Sequence, residues 1–169
     1  MTRTGFSPRH ALLAVSVVAA ATIGGALASQ HVFGLVPCKL CLWQRWPYYV
    51  GLPLAIGALV AMPARALRPL LAALALVFLA SAGLGAYHAG VEWGIFLGPS
   101  DCGGGSGPAA AGVEDFMRQL NRVRVVSCTE AAWRFAGLSL AGWNALISAA
   151  LAVFAAWSAY GSSSVSQYR

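Results

Sequence analysis

Charged residues are scarce in this chain: Asp, Glu, Lys and Arg together make up 9% of its 169 residues. A water-soluble domain normally carries about a quarter, so the composition excludes an ordinary soluble enzyme. A disordered chain is excluded too, because such chains are poor in apolar residues and 59% of this one is hydrophobic. The net charge is +6, but no basic helix or aromatic–basic groove accompanies it, so nucleic acid is not an expected partner. The sequence predicts a single membrane domain over residues 1–169, with the lipid bilayer as its surroundings.

Four stretches are apolar and long enough to cross a bilayer as helices, which takes about 20 residues. They are residues 11–29, 46–62, 69–87 and 138–160. We therefore predict an all-α fold, an integral membrane four-helix bundle, because backbone polar groups must be bonded internally in lipid. Tyr48 and other aromatic residues near the span ends are expected at the headgroup level. The first stretch allows a second interpretation, because Ala26-Leu27-Ala28 resembles a signal-peptidase site; we interpret it as a span.

Basic residues set the orientation of the predicted bundle. The N-terminus, the short 63–68 turn and the C-terminal tail lie on one side and carry arginines but no acidic residue. The positive-inside rule makes this side cytoplasmic, so both termini are cytoplasmic and the outer loops are 30–45 and 88–137. All four cysteines of the chain fall in these two loops. In a bacterial-type cell the compartment they face is oxidising, and disulfides form and persist there.

Cys38 and Cys41 form a C-x-x-C motif just before the second span. A zinc site would need two further ligands at similar spacing, which the other cysteines do not supply, and a bridge closing so small a loop would stabilise little. We therefore favour a redox-active dithiol over a structural bridge or a metal site. If a helix starts near Cys41, its free N–H groups and dipole stabilise a thiolate there. Arg45 lies one helical turn further on, where it either holds an electronegative oxygen beside Cys41 or reaches lipid phosphates.

Cys102 and Cys128 lie in the long second outer loop. We expect them to pair with each other, although four cysteines allow three connectivities. Residues 103–107 are glycine-rich, which suits thiol–disulfide exchange better than a rigid structural bridge. Apolar residues recur at helical spacing over 113–123, which predicts a short amphipathic interfacial helix that lies on the membrane or against a partner protein. His88, at the outer end of the third span, is either an interfacial hydrogen-bonding residue or a ligand or proton carrier.

Three segments together resemble the DsbB family, the bacterial inner-membrane thiol oxidases with four helices. They are residues 37–45 (PCKLCLWQR), 87–92 (YHAGVE) and 137–144 (GLSLAGWN), with the second cysteine pair between the last two. The resemblance covers nearly the whole chain except its ends. It implies the bacterial inner (plasma) membrane, with the cysteine loops in the periplasm. One position departs from some members of the family, which carry Glu where this chain has Gln44.

The resemblance also implies a relay of electrons between the two cysteine pairs. A reduced periplasmic DsbA-type protein of the thioredoxin fold would attack the Cys102–Cys128 disulfide, with Cys102 taking the mixed disulfide. The electrons would then pass by internal exchange to Cys38–Cys41. Cys41 would finally reduce a membrane quinone, either ubiquinone or menaquinone.

A quinone site at the first cysteine pair follows from the same resemblance. Arg45 would hold a quinone carbonyl oxygen and stabilise negative charge during reduction. His88 matches a position near the quinone in the family. No metal is implied.

Three other functions stay open on the sequence. The first is a DsbB-like paralogue that serves one dedicated partner. The second is a quinone-dependent enzyme of the vitamin K epoxide reductase type, which uses C-x-x-C on a different arrangement of helices. The third is a non-enzymatic membrane scaffold whose two disulfides only stiffen its outer loops.

Overall fold

The structure is a computed structural model that describes residues 7–99, 114 and 127–160. Its regular elements are mostly helical, and they include one short hairpin. In chain order they are α1 (Pro8–His31), α2 (Lys39–Trp43), α3 (Trp46–Ala61), α4 (Ala64–Glu92), β1 (Arg134–Phe135), β2 (Leu138–Ser139) and α5 (Leu140–Tyr160). The prediction of a mainly helical chain is confirmed, while the two-residue strands are an addition that the sequence did not predict. The predicted interfacial helix lies outside the described residues except for Glu114.

Three of the described helices, α1, α4 and α5, are long and apolar enough to cross a membrane. α3 covers the remaining predicted span but has 16 residues, fewer than the about 20 that a bilayer takes. Many large apolar side chains on the outer faces of the helices are exposed, which suits contact with lipid rather than water. They include Leu13, Val17, Ile56, Leu76, Leu79 and Val153.

α4 is longer at both ends than the predicted span 69–87. It begins at Ala64. Arg65 and Arg68 end the uninterrupted apolar run, but they do not end the helix, because their flexible stems can carry the charge to the membrane surface. It ends at Glu92 rather than Tyr87. As a result, His88 and Glu92 lie one turn apart on the last part of α4.

The close packing of α4 against α5 positions the site. α1 and α3 contact this pair of helices from the side. A Cβ atom at Gly85 would lie 2.9 Å from the backbone nitrogen of Ala145, so glycine is what allows α4 and α5 to approach so closely. Most of the interior of the bundle is apolar, and the large side chains buried there include Leu12, Leu67, Leu71, Leu74 and Phe78.

The hairpin leads directly into α5. β1 and β2 pair antiparallel, with Phe135 opposite Leu138. The two residues between them, Ala136 and Gly137, have positive φ angles of 50° and 82°, as a two-residue type I′ turn requires. The indole N–H of Trp143 donates to the Phe135 carbonyl at 3.0 Å. The segment that follows Cys128 is therefore fixed against the first turn of α5.

Candidate redox site

Cys38 and Cys41 lie together at the start of the short helix α2, both as free thiols. α2 begins at Lys39, and Cys38 caps it by accepting the backbone N–H of Cys41 at 3.3 Å. The two sulfur atoms are 2.9 Å apart. The expectation that the helix starts near Cys41 and stabilises a thiolate there was wrong in its register. The N–H group at the start of the helix points at the Cys38 sulfur instead, because Cys38 occupies the capping position.

The pKa values of the two thiols are shifted in opposite directions. Hydrogen bonds with the Cys41 side chain, with His88 and with the Cys41 backbone N–H together lower the pKa of Cys38 to about 4, against the opposing effect of burial. The hydrogen bond with Cys38, burial and the charge on Cys38 raise the pKa of Cys41 well above its ordinary value. A second ionisation would place two negative charges 2.9 Å apart in a partly dry site. The reduced pair therefore shares one proton, with the negative charge on Cys38.

Cys128 supplies a third sulfur atom beside this pair. It is fully buried and disulfide-bonded, while its predicted partner, Cys102, lies outside the described residues. The side-chain ligand atoms of Cys38, His88 and Cys128 all lie within 4.8 Å of one another. Such a cluster could hold a metal ion by distance alone. However, a disulfide sulfur is not the thiolate that a metal requires, so in this oxidation state the donor set does not fit a metal.

His88 projects from the last part of α4 into the same cluster and is 1% exposed. Its Nε2 atom is 3.5 Å from the Cys38 sulfur and 3.8 Å from Oε1 of Glu92. Its Nδ1 atom is 2.6 Å from Nε2 of Gln44. The second carboxylate oxygen of Glu92 is buried, with no hydrogen-bond partner among the described residues. Of the two interpretations of His88, the structure therefore favours a buried residue of the dithiol site over an interfacial one.

Arg45 lies at the junction of α2 and α3, where it caps α3, and it is buried. Its guanidinium group donates to Oε1 of Gln30 at 2.6 Å and to the Ala26 carbonyl at 3.3 Å. The side chain is thus held against α1 rather than extended toward lipid headgroups. These two bonds use two of the five N–H donors of a guanidinium group, and within the described part of the chain the others are left for a ligand.

A cavity of about 600 Å³ lies between α1, the α2–α3 junction and the start of α5. Most of its wall is apolar. Its polar lining consists mainly of six side chains, Cys41, Gln44, Arg45, Tyr48, His88 and Asn144. Cys38 is not part of this wall; it packs with Leu40, Val91 and Cys128 behind it. Cys41 packs against the same cluster, but of the two cysteines it alone also lines the cavity.

A chain of buried polar side chains continues from His88 into the bundle. Asn144 donates from Nδ2 to Oε1 of Gln44 at 2.7 Å, and the Tyr48 hydroxyl donates to Oδ1 of Asn144 at 2.8 Å. The Tyr48 hydroxyl also contacts Ser148 at 2.8 Å. Tyr48 is 2% exposed, so its ring lies inside the bundle, where its hydroxyl has hydrogen-bond partners. Its place at the headgroup level stays a prediction.

The structure brings together most of the side chains that the sequence singled out, namely Cys38, Cys41, Cys128, Arg45 and His88. Sequence reasoning missed the contributions of Gln44, Tyr48, Asn144 and Glu92. A signal was available for Asn144, because a polar amide inside an apolar span is costly unless it is bonded and therefore marks a functional site by default. Gln44 and Glu92 lie in short motifs whose pattern gave no sign of their partners.

Taken together, the elements define a class of protein. Apolar helices hold a C-x-x-C dithiol, and the sulfur of its first cysteine, Cys38, lies beside the disulfide-bonded Cys128. This arrangement is typical of a membrane thiol–disulfide oxidoreductase. Comparison with known proteins then gives the family. Residues 8–158 match the family model "Disulfide bond formation protein DsbB", and the chain belongs to this family. It is a multi-pass membrane protein of disulfide bond formation.

Individual relatives resemble the chain over most of its length. "Disulfide bond formation protein B" of Aromatoleum aromaticum is 29% identical over 159 residues, covering 89% of this chain and 91% of the relative. The protein of the same name from a Polaromonas species is 31% identical over 150 residues, covering 86% and 87%. An uncharacterized protein of Rickettsia prowazekii is 28% identical over 144 residues, covering 85% and 81%. No solved structure matches the chain.

Proposed function

We propose that this protein reoxidises a periplasmic DsbA-type dithiol of the thioredoxin fold and passes the electrons to a membrane quinone. The electrons would travel through Cys102–Cys128 and then Cys38–Cys41. One observation carries the proposal: the two sulfurs of one dithiol have different neighbours. Cys38 lies within 4.8 Å of the disulfide-bonded Cys128 sulfur, while Cys41 lines the cavity that also holds Arg45.

The first exchange takes place at the outer disulfide. A thiolate of the reduced partner forms a bond to the Cys102 sulfur, the Cys102–Cys128 bond breaks, and Cys128 leaves with the electron pair as a thiolate. The second thiol of the partner then displaces Cys102 and completes the partner's disulfide, with loss of its proton. The outer pair has now gained the two electrons that the partner has lost.

The second exchange takes place between the outer pair and the C-x-x-C pair. The Cys128 thiolate attacks the sulfur of Cys38 in the Cys38–Cys41 disulfide, and Cys41 leaves with the electron pair on the cavity side. Cys102 then displaces Cys38 from Cys128 and restores the outer disulfide. Two free thiols at the first pair and a disulfide at Cys128 represent the state that follows this step.

The cavity fits a quinone in size and chemistry. A ligand pocket holds about 300–1,000 Å³, and this one has about 600 Å³, an apolar wall and a buried arginine. When bound, a quinone would take two electrons from the reduced Cys38–Cys41 pair, which returns to the disulfide, and two protons, one from the pair and one from solvent, to give quinol. Arg45 would hold a carbonyl oxygen with its remaining N–H donors, Cys41 would present its sulfur, and His88 would lie at the edge of the site.

Membrane placement gives this relay its direction. A DsbA-type disulfide is a strong oxidant, with a reduction potential of about −120 mV, so re-forming it needs an acceptor of higher potential. A lipid-soluble acceptor must meet a thiol that faces the periplasm, so the site would lie at the periplasmic surface of the inner membrane. With α3 as the fourth span, both termini would be cytoplasmic and both cysteine loops periplasmic, in the bacterial inner membrane.

Quinone reduction by purified protein tests the proposal. Full-length protein in detergent would be mixed with a reduced DsbA-type partner and a soluble quinone, and the quinone absorbance would be followed for the wild type and for each of Cys38→Ser, Cys41→Ser, Cys102→Ser and Cys128→Ser. We expect turnover in the wild type and its loss in all four variants.

Three results would contradict the proposal in whole or in part. Full quinone turnover in Cys41→Ser would exclude the assigned acceptor site. Disulfides that stay oxidised throughout incubation with reduced partner would indicate a structural scaffold instead. A wild type that oxidises one thioredoxin-fold protein but not a general DsbA-type one would indicate a paralogue with a dedicated partner.

A further inference from the structure

Gln44 occupies a position between two buried groups, and both ends of its side-chain amide are bonded. It follows α2, where its backbone N–H closes the helix on the Leu40 carbonyl, and its side chain is buried. Its Oε1 atom accepts from Asn144 at 2.7 Å, and its Nε2 atom lies 2.6 Å from Nδ1 of His88. An amide has one accepting end and one donating end, so the bond from Asn144 leaves Gln44 a donor toward His88.

The direction of this bond is set further along the chain of polar groups. The Tyr48 hydroxyl donates to Oδ1 of Asn144, so Asn144 must present its NH₂ group to Gln44. Having donated its only proton, the Tyr48 oxygen accepts from Ser148 at 2.8 Å, and Ser148 lies 3.0 Å from Ser81. Each bond of this chain then has one donor and one acceptor, and the bonds run in one direction toward His88.

We infer that Gln44 is a positioning residue of the dithiol site, which fixes the ring of His88 in the tautomer that carries its proton on Nε2. A ring nitrogen that receives an N–H cannot carry a proton itself. The Nε2–H group then faces the Cys38 sulfur at 3.5 Å. The inference rests on Cys38–Cys41 being the redox dithiol of the proposed function.

The tautomer decides the sign of the interaction between His88 and Cys38. With the proton on Nε2, the ring donates to the thiolate and stabilises it. With the proton on Nδ1, the Nε2 lone pair would face the negative sulfur and repel it. Gln44 therefore acts on the sulfur through the ring, without touching it.

A glutamine and a glutamate are not equivalent at this position. A carboxylate accepts hydrogen bonds only, so Gln44→Glu could still accept from Asn144 but would require a proton on Nδ1 of His88. With both ring nitrogens protonated, His88 would be an imidazolium. The other titratable groups around the ring are Cys38 and Cys41 on the α2 segment, Glu92 on its own helix, and Arg45 and Tyr48 on the facing segment.

Nitrogen-15 NMR of the histidine rings tests the inference directly. Reduced full-length protein in detergent, labelled at its histidines, would be compared with His88→Gln to identify the signals of His88 among those of His10 and His31. We expect an unprotonated Nδ1 and a protonated Nε2 in the wild type, a mixture of tautomers in Gln44→Leu, and the imidazolium pattern in Gln44→Glu. An Nδ1–H tautomer in the wild type would overturn the inference.

Thiolate titration gives a second readout that is independent of the first. The midpoint of the alkylation rate of Cys38 against pH should rise by about one pH unit in Gln44→Leu, a roughly tenfold loss of thiolate at pH values below the midpoint, which is the loss that one hydrogen bond supports. Asn144→Leu should shift it in the same direction, and it remains informative if Gln44→Leu fails to fold. Ser158→Ala is the matched control, a buried polar group of α5 outside this chain of bonds, and it should change neither readout.

These measurements need neither a partner nor a quinone. Unchanged ring signals and an unchanged alkylation profile in Gln44→Leu and Asn144→Leu would overturn the inference and leave the proposed function standing. Changed signals in a protein that reduces no quinone would instead contradict the proposed function alone.

Discussion

The reduced Cys38–Cys41 pair is expected to hold one proton, not two, between about pH 5 and pH 8. The pKa of Cys38 is lowered to about 4, and that of Cys41 is raised above its ordinary value. Ionisation of Cys38 therefore stabilises the reduced pair at every pH above about 4, and this stabilisation is lost as the pH falls through that value. Reduction of the disulfide then takes up two electrons and a single proton.

The proton count sets the pH dependence of the reduction potential. For a two-electron couple, a tenfold change in the equilibrium constant corresponds to about 30 mV. One proton taken up thus predicts a fall of about 30 mV per pH unit, while an unperturbed dithiol, which takes up two, falls by about 60 mV per unit. Over three pH units the two cases differ by about 90 mV, which is readily measured.

The measurement isolates this couple in a variant with Cys102→Ala and Cys128→Ala. The full-length protein in detergent would be equilibrated with thiol–disulfide buffers from pH 5 to pH 8, alkylated, and its oxidised fraction counted by mass spectrometry. Adding His88→Ala should raise the pKa of Cys38, because the ring contact helps to lower it, and so steepen the slope at the acid end. A slope near 60 mV per unit across the range would refute a shared proton in the reduced pair.

Two further predictions concern the cavity and the helix contact. Arg45→Ala should raise the KM for quinone by about 10-fold or more, because a charge-assisted hydrogen bond is lost. Arg65 is exposed at the far end of α4, so Arg65→Ala should leave the KM unchanged. An unaltered KM in Arg45→Ala would exclude Arg45 as a quinone ligand. Gly85→Ala would place a Cβ 2.9 Å from the Ala145 backbone nitrogen and should destabilise the fold by about 1–3 kcal/mol, seen as a lower melting temperature. Gly57 has open space around it, so Gly57→Ala should not lower the melting temperature. Equal melting temperatures for the two variants would contradict the close helix contact.

The reactive residues could be predicted from the sequence because their chemistry is local. A C-x-x-C with an arginine one turn further on implies a dithiol with a cation nearby, and the structure lines one cavity with Cys41, Arg45 and His88. What the sequence could not predict was which sulfur receives the helix N–H group. That depends on a capping register of two residues, and hydropathy does not resolve helix ends at this precision.

The polar interior was also hidden in the sequence. Tyr48 lies near the end of a predicted span, and no local pattern indicated that its hydroxyl would bond to Asn144 and Ser148. Likewise the last turn of α4 follows the end of the apolar run, so an apolar count stops before Glu92. Contacts between residues about 100 positions apart, such as Tyr48 with Ser148, leave no local pattern to read.

Under the proposed function, the different neighbours of Cys38 and Cys41 have a consequence for small thiols in the periplasm. Cys38 is 5% exposed and packs behind the cavity wall, so a diffusing thiol would have to displace side chains to reach it. In the proposed relay, a sulfur carried by the protein's own loop already lies beside it. In that relay the arrangement would limit the loss of electrons from small thiols to the quinone, because the tethered Cys128 sulfur reaches Cys38 more readily than a diffusing thiol does.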